Sequence, residues 1–287
     1  MSSDNSPTDI VAEAENLALA GKFDEALKKY NEAATSDPTN PLIAVGKSTI
    51  LKAQGKYAEC AETLGIALES LSSWNVAKED MVRYNQFTSM LHVLRAEAYL
   101  YAQDLSHVFS ELDEADKVSG ADAASMVVRA NAHAQKKEWN EAGDLLYRAE
   151  EWCFQHEDSM LTQIWQSKVQ YAKDAGGVFA PPYAAEIYKN GHWRTPKGTV
   201  DELLERAGNL RKAGLLYDAL HYYDAALAQA TENKAHILFL KGVVYEQLKR
   251  FDDAFGCYSD ALAANPTQEE EFMIRVRWSN TKALRGL

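Results

Sequence analysis

One pattern recurs six times along this chain of 287 residues, and it leaves few folds open. Small residues stand at Ala14, Ser48, Ala96, Ala130, Ala207 and Gly242. Three positions on come Leu17, Leu51, Tyr99, His133, Leu210 and Tyr245. A turn position then carries Phe23, Tyr57, Leu105, Trp139, Leu216 and Phe251. After it come Ala26, Cys60, Val108, Ala142, Ala219 and Ala254. Tyr30, Leu64, Leu112, Leu146, Tyr223 and Tyr258 follow, and Ala33, Ala67, Ala115, Ala149, Ala226 and Ala261 close each unit. From Ala14 to Ser48 and from Ala96 to Ala130 the spacing is 34 residues, and from Ala207 to Gly242 it is 35. Small residues let two helices approach closely while the large ones fill the space beside them. The pattern therefore predicts stacked helix–turn–helix units.

The two clearest copies are AENLALAGKFDEALKKYNEAATSDP (14–38) and GVVYEQLKRFDDAFGCYSDALAANP (242–266). They resemble the tetratricopeptide repeat, a helix–turn–helix unit of 34 residues. The resemblance implies an all-α fold, an α-α superhelix or solenoid. About six repeats cover roughly 7–74, 89–156 and 200–268. The expected organisation is a flexible N-terminus at 1–6, an array of four repeats plus an unpaired helix over 7–175, and an interruption at 176–199. Two further repeats follow over 200–268, with a capping helix at 269–287.

Two spacings break the period. Ser48 to Ala96 is 48 residues, and VAKEDMVRYNQFTSMLHVLRAEAYLYAQ (76–103) contains no Gly or Pro. It reads as one long first helix with about four extra turns. Ala130 to Ala207 is 77 residues. There DSMLTQIWQSKVQYAKDAGG (158–177) reads as a helix ended by glycine, with Ile164 at the small-residue position. Its partner helix is replaced by GGVFAPPYAAEIYKNGHWRTPKG (176–198). A linker would be Gly/Ser-rich, whereas this stretch carries Phe179, Tyr183, Tyr188 and Trp193, so an ordered plug over the lone helix is expected. Pro181 and Pro182 suit the start of a short helix that Gly191 ends.

Net charge is −12, and residues 1–175 hold 28 acids against 16 bases, so the whole imbalance sits there. That sign repels phosphates and argues against nucleic acid and anionic membranes. It suits a protein or peptide partner that is apolar or basic. The start lacks a signal-peptide pattern, no apolar run is long enough to span a bilayer, and Cys60, Cys153 and Cys257 form no disulfide framework. A cytoplasmic location is expected, with no cofactor, no metal and no catalytic residue. Gly46-Lys47-Ser48 ends like a phosphate-binding loop, but Pro41 stands where that loop needs glycine.

In this family the first helices line the concave groove. Residues beside the packing positions would then face a partner: Val45, Thr49, Val93, Leu94, Glu97, Leu100, Tyr101, Val127, Val128 and Asn131. So apolar a groove fits an amphipathic helix or extended peptide, or else is filled by the chain itself. Positions where some relatives clamp a carboxylate hold Val11, Glu15 and Gly46 here, which offer no cation or amide. A secondary candidate is the basic-aromatic set His192, Trp193 and Arg194, with Arg211 and Lys212 on the later repeats. The expected function is a non-catalytic interaction scaffold or adaptor. The alternatives are a self-associating subunit of a larger assembly, and a cryptic enzyme or small-molecule binder using the segment 176–199.

Overall fold

A computed structural model describes residues 6–156, 158–191 and 194–285. The expected flexible N-terminus lies outside these apart from Ser6. The described residues form fifteen α-helices, one 3₁₀ turn and a single isolated β-bridge. They divide into two compact units, residues 1–132 and 133–287, with the division inside a helix. Each unit is an all-α stack of the α-α superhelix type.

The first unit holds α1 (Pro7–Leu19), α2 (Phe23–Ser36), α3 (Pro41–Ala53), α4 (Tyr57–Ser72), α5 (Met81–Tyr101) and α6 (Leu105–Ser119). It also takes residues 123–132 of α7 (Ala123–Gln135). α1 pairs with α2, α3 with α4 and α5 with α6, and α2 packs on α3 and α4 on α5. Ser6 starts α1 with a reciprocal cap to Asp9, and Asn40 caps α3 ahead of Pro41. The long first helix is shorter than expected. α5 has 21 residues against 13 in α1 and α3, which is about two extra turns at 3.6 residues per turn. The rest of the excess lies in a 16-residue α4, an irregular Ser73–Ala77 and the 3₁₀ turn Lys78–Asp80.

The second unit continues with α8 (Trp139–His156), α9 (Leu161–Asp174), α10 (Pro182–Asn190), α11 (Val200–Lys212) and α12 (Leu216–Gln229). α13 (Lys234–Gln247), α14 (Phe251–Ala263) and α15 (Gln268–Leu284) complete it. α11 pairs with α12 and α13 with α14, α12 packs on α13, and α15 closes against α14 and α13. Thr199 and Thr267 cap α11 and α15 reciprocally with Glu202 and Glu270.

The repeat positions read from sequence are the core. Every small position, every position of the Tyr30 series and every closing alanine is buried, from Ala14 to Ala261, whereas Leu17, Tyr99 and His133, three after a small residue, are half-buried. The turn residues Phe23, Tyr57, Leu105, Trp139, Leu216 and Phe251 each begin the second helix. One backbone device makes all six turns. Two residues before each second helix the chain takes positive φ: Gly21, Gly55, Gln103, Lys137, Gly214 and Lys249. The next N–H then reaches back to the first helix, as in Lys22 to Leu17 O, Asp104 to Tyr99 O and Arg250 to Tyr245 O, each 2.9 Å. This Schellman closure satisfies carbonyls left open at the helix end. It also fixes the angle at which the second helix folds back.

Candidate functional site

The departure from the repeat pattern lies in the second unit. α9 occupies the place of a first helix, with Ile164 buried at the small-residue position, yet no second helix follows it. Lys168 lies one turn after Ile164, on the same inward face. Its side chain is 0% exposed. Its Nζ donates to Glu150 Oε2 of α8 and to Asp218 Oδ1 of α12, both at 2.9 Å. Tyr147 OH donates to the other Asp218 oxygen, and Trp165 Nε1 donates to Glu150 Oε1 at 2.5 Å. Nζ also sits 3.5 Å from the Tyr147 ring centre. A lone helix is thus tied to two neighbours by charge where the pattern elsewhere uses apolar packing. Burial by itself would lower the Lys168 pKa, but Asp218 and Glu150 outweigh it and hold the ammonium above its ordinary range. Burial raises Glu150, and Lys168 pulls it only part of the way back.

The described aromatics of the interruption dock against α8, α9 and α12. Phe179 is buried between Tyr147 and Tyr171, and its N–H donates to Gly214 O at 3.0 Å. Pro181 lies on Gly143 so closely that a Cβ there would stand 2.7 Å from the proline ring. Tyr183 N–H donates to Asp144 and its OH to Glu151, and burial, with the Glu151 contact behind it, pushes the phenol up to about 12. Tyr188 OH donates to Asp224 Oδ2 at 2.5 Å. α10 therefore bridges α8 and α12. Phe179 meets α9 at Tyr171, and among the described residues Leu161, Trp165 and Val169 of α9 are left half-buried.

That half-buried face floors a groove. Phe154, Leu161, Trp165, Val169 and Tyr222 supply half-buried apolar surface around a cavity of about 620 Å³. Its rim is neutral amide and hydroxyl, from Thr162, Gln166 and Gln170, with Lys173 beside them. Phe154 also borders a second cavity of about 250 Å³, lined by Tyr147, Glu150, Glu151, Gln155, Ile187 and Arg194. The Arg194 guanidinium lies 5.9 Å from the Phe154 ring centre, and the Arg194 carbonyl accepts from His221 Nε2 at 2.9 Å. Lys173 and Arg194 are the exposed charges lining these cavities.

The expected groove in the first unit is largely closed. Val93, Leu100, Val127 and Val128 are 7%, 4%, 2% and 7% exposed. Val93, Leu100 and Val128 pack with Val108 and Leu112 in one apolar cluster. In α5 and α7 the positions three before the small residue turn inward, as does the position four after it in α5. α5 packs between α4 and α6, which leaves it a narrow outward strip. Thr49 and Tyr101 are exposed, and Val45, Leu94, Glu97 and Asn131 are half-buried. Thr49, Leu94 and Glu97 border a cavity of about 270 Å³. Its mouth is satisfied internally, because Lys52 pairs with Glu97 at 2.6 Å and Tyr57 stacks on Tyr101 at 5.2 Å.

Of the secondary candidates, His192 and Trp193 lie outside the described residues. Arg194 joins the groove. Arg211 is half-buried and Lys212 exposed on α11, and neither lines the two cavities of that groove. The sequence reading missed Glu150, Lys168 and Asp218. The signals were a lysine one turn from Ile164 on a packing face, and an aspartate among Leu216, Ala219 and Leu220. Gly46-Lys47-Ser48 lies in the middle of α3, where the N–H groups serve the helix.

Residues 204–269 match the tetratricopeptide repeat family, and the six buried registers extend the same unit over both parts of the chain. Residues 204–269 belong to that family. No curated protein matches the sequence significantly. Among solved structures, a tetratricopeptide-repeat protein from Parabacteroides merdae is 12% identical over 98% of this chain and 86% of its own, with a TM-score of 0.44. The TPR2AB domain of yeast Sti1, solved as a complex with pHSP90, is 16% identical over 96% of this chain and 98% of its own (TM-score 0.39). The Cut9–Hcn1 hetero-tetramer of the APC/C is 12% identical over 96% of this chain (TM-score 0.43), and this chain spans 43% of that one. No helix among the described residues is long and apolar enough to cross a membrane.

Proposed function

We propose that this chain is a non-catalytic tetratricopeptide-repeat scaffold that holds an extended segment of a partner protein in the groove over α9. The supporting observation is the half-buried face of Leu161, Trp165 and Val169, left where a second helix would pack. The rim suits an extended peptide. Glutamine amides at 155, 166 and 170 both donate and accept, so they can pair with the main chain of a segment whose apolar side chains enter the floor. The ion-paired α8–α9–α12 framework is preorganised, so the ordering cost falls on the ligand. Net charge over the whole chain favours a basic partner, but on this rim the exposed charges are the cations Lys173 and Arg194, with Glu151 half-buried near Arg194. The bound segment accordingly carries an acidic residue beside its apolar ones.

Selection from a displayed random-peptide library, with the whole chain as bait, tests this. Enriched clones with apolar residues and an acid, abolished by Val169→Asp and weakened about tenfold by Lys173→Glu, support it. No enrichment, or clones indifferent to Val169→Asp in a variant whose helical circular dichroism is unchanged, overturns it. The outward strip Thr49, Leu94, Glu97 and Tyr101 is the second place where such clones could map, and Tyr101→Asp reports on it.

A further inference from the structure

The capping helix α15 ends the repeat stack with one face satisfied and the other bare. On the inner face Ile274 and Thr281 are buried, Trp278 Nε1 donates to Ser259 at 3.0 Å, and Thr281 Oγ1 donates to Glu246 at 2.8 Å. A cap that only shields the last repeat needs a polar outer face. This one carries Phe272 (71% exposed), Met273, Val276 and Leu284 (61%), all strongly exposed. Positions 272, 276, 280 and 284 follow at four-residue intervals with Asn280 among them, so the apolar residues form one stripe about three turns long. Among the described residues, α5 also leaves four large apolar side chains exposed, Met81, Val82, Met90 and Tyr101, but these do not fall on one four-residue row as Phe272, Val276 and Leu284 do.

We propose that α15 is the contact of a twofold dimer, packing antiparallel on α15 of a second copy. Charge order selects that occupant. The helix begins Glu269-Glu270-Glu271 and ends with Lys282 and Arg285. An antiparallel pair centred near Trp278 sets Phe272 of each helix against Leu284 of the other, and Val276 against Asn280. It also brings the acidic start of each helix to the basic end of its partner and opposes the two helix dipoles. A parallel pair would align like charges at both ends. Two 17-residue helices about 25 Å long make a contact at the small end of specific interfaces, so the dimer is a weak one. This inference rests on α15 alone and is independent of the groove over α9.

Sedimentation equilibrium of the full chain from about 1 to about 300 µM tests it, since weak pairs dissociate within that range. The expected result is a mass rising toward twice the monomer. Val276→Glu, an exposed site that leaves the fold intact by circular dichroism, weakens association at least tenfold. Lys282→Glu and Glu269→Lys each weaken it, and mixing those two variants restores the dimer because each supplies what the other lost. A monomer at every concentration overturns the proposal, as does a dimer indifferent to Val276→Glu. Failure of the mixed variants to restore pairing overturns the antiparallel arrangement.

Discussion

Replacing Lys168 with methionine keeps the length of the side chain and removes the charge that two buried carboxylates share. Glu150 and Asp218 each lie 2.9 Å from Nζ, so the two carboxylates sit within about 6 Å of each other. At an effective dielectric near 20, two like charges about 5 Å apart repel by roughly 3 kcal/mol. Removing one member of a buried ion pair typically costs about 3–5 kcal/mol. That is a large part of the ~5–15 kcal/mol by which a domain is stable, and it lowers the melting temperature by about 10 °C. The pH dependence carries the sign. Without the ammonium, nothing opposes the burial that already raises the Glu150 carboxyl, and its folded-state pKa rises further above that of the unfolded chain. A raised carboxyl destabilises the fold above its folded pKa, and the penalty fades as pH falls toward the unfolded value near 4. The deficit of Lys168→Met is therefore full at pH 7.5 and shrinks by at least half by pH 5. Adding Asp218→Asn recovers much of it at pH 7.5, since the amide oxygen still accepts from Tyr147. Urea unfolding followed by circular dichroism at three pH values measures this. A loss below about 1 kcal/mol, or one unchanged between pH 5 and 7.5, would refute the claim that the lone helix is held by buried charge.

Glycines test the plug. Gly143→Ala places a Cβ 2.7 Å from Pro181 and 2.8 Å from Phe179, and overpacking of that kind costs about 1–3 kcal/mol. The same change at Gly208 or Gly256, helical positions with open space around them, gains up to about 1 kcal/mol in the same unfolding assay. Lys249→Gly relieves a positive φ of 57° at a repeat turn and stabilises by about 0.5 kcal/mol, the left-handed cost less the entropy that glycine adds. Burial pushes the Cys257 thiol up to about 11, raises that of Cys60, and encloses Cys153. No thiol then reacts with a thiolate-selective disulfide reagent at pH 7.5 within minutes, and three react after unfolding in guanidinium.

The repeat was legible because it is a local pattern repeated. Small, bulky and aromatic residues at set offsets specify two helices and the turn between them, and each copy checks the next. The burial of Ala14, Tyr30, Ala207 and Tyr258 follows from that register alone. So does the start of each second helix at its turn residue. The end of α9 at Gly176 and Gly177, and of α10 at Gly191, was equally local, since a helix stops where its carbonyls need closing. What lay beyond reach was the direction in which a half-turn of helix faces. Val93 and Leu94 are adjacent in sequence, yet one is core and the other outward, and a helix rotation of a few tens of degrees decides which. Lys168 meets Asp218 across 50 residues, and Tyr183 meets Glu151 across 32. No spacing rule predicts such encounters, because the distance between helices in a stack is set by packing and not by separation along the chain. The sequence by itself determined that this protein is stacked helices with one helix lacking its partner. Only the tertiary structure decided that a buried lysine anchors that helix, that Tyr183 and Tyr188 turn to α8 and α12, and that among the described residues Leu161, Trp165 and Val169 stay half-buried. Local residues specify an element and its ends, whereas which surface remains bare depends on every neighbour that could have covered it.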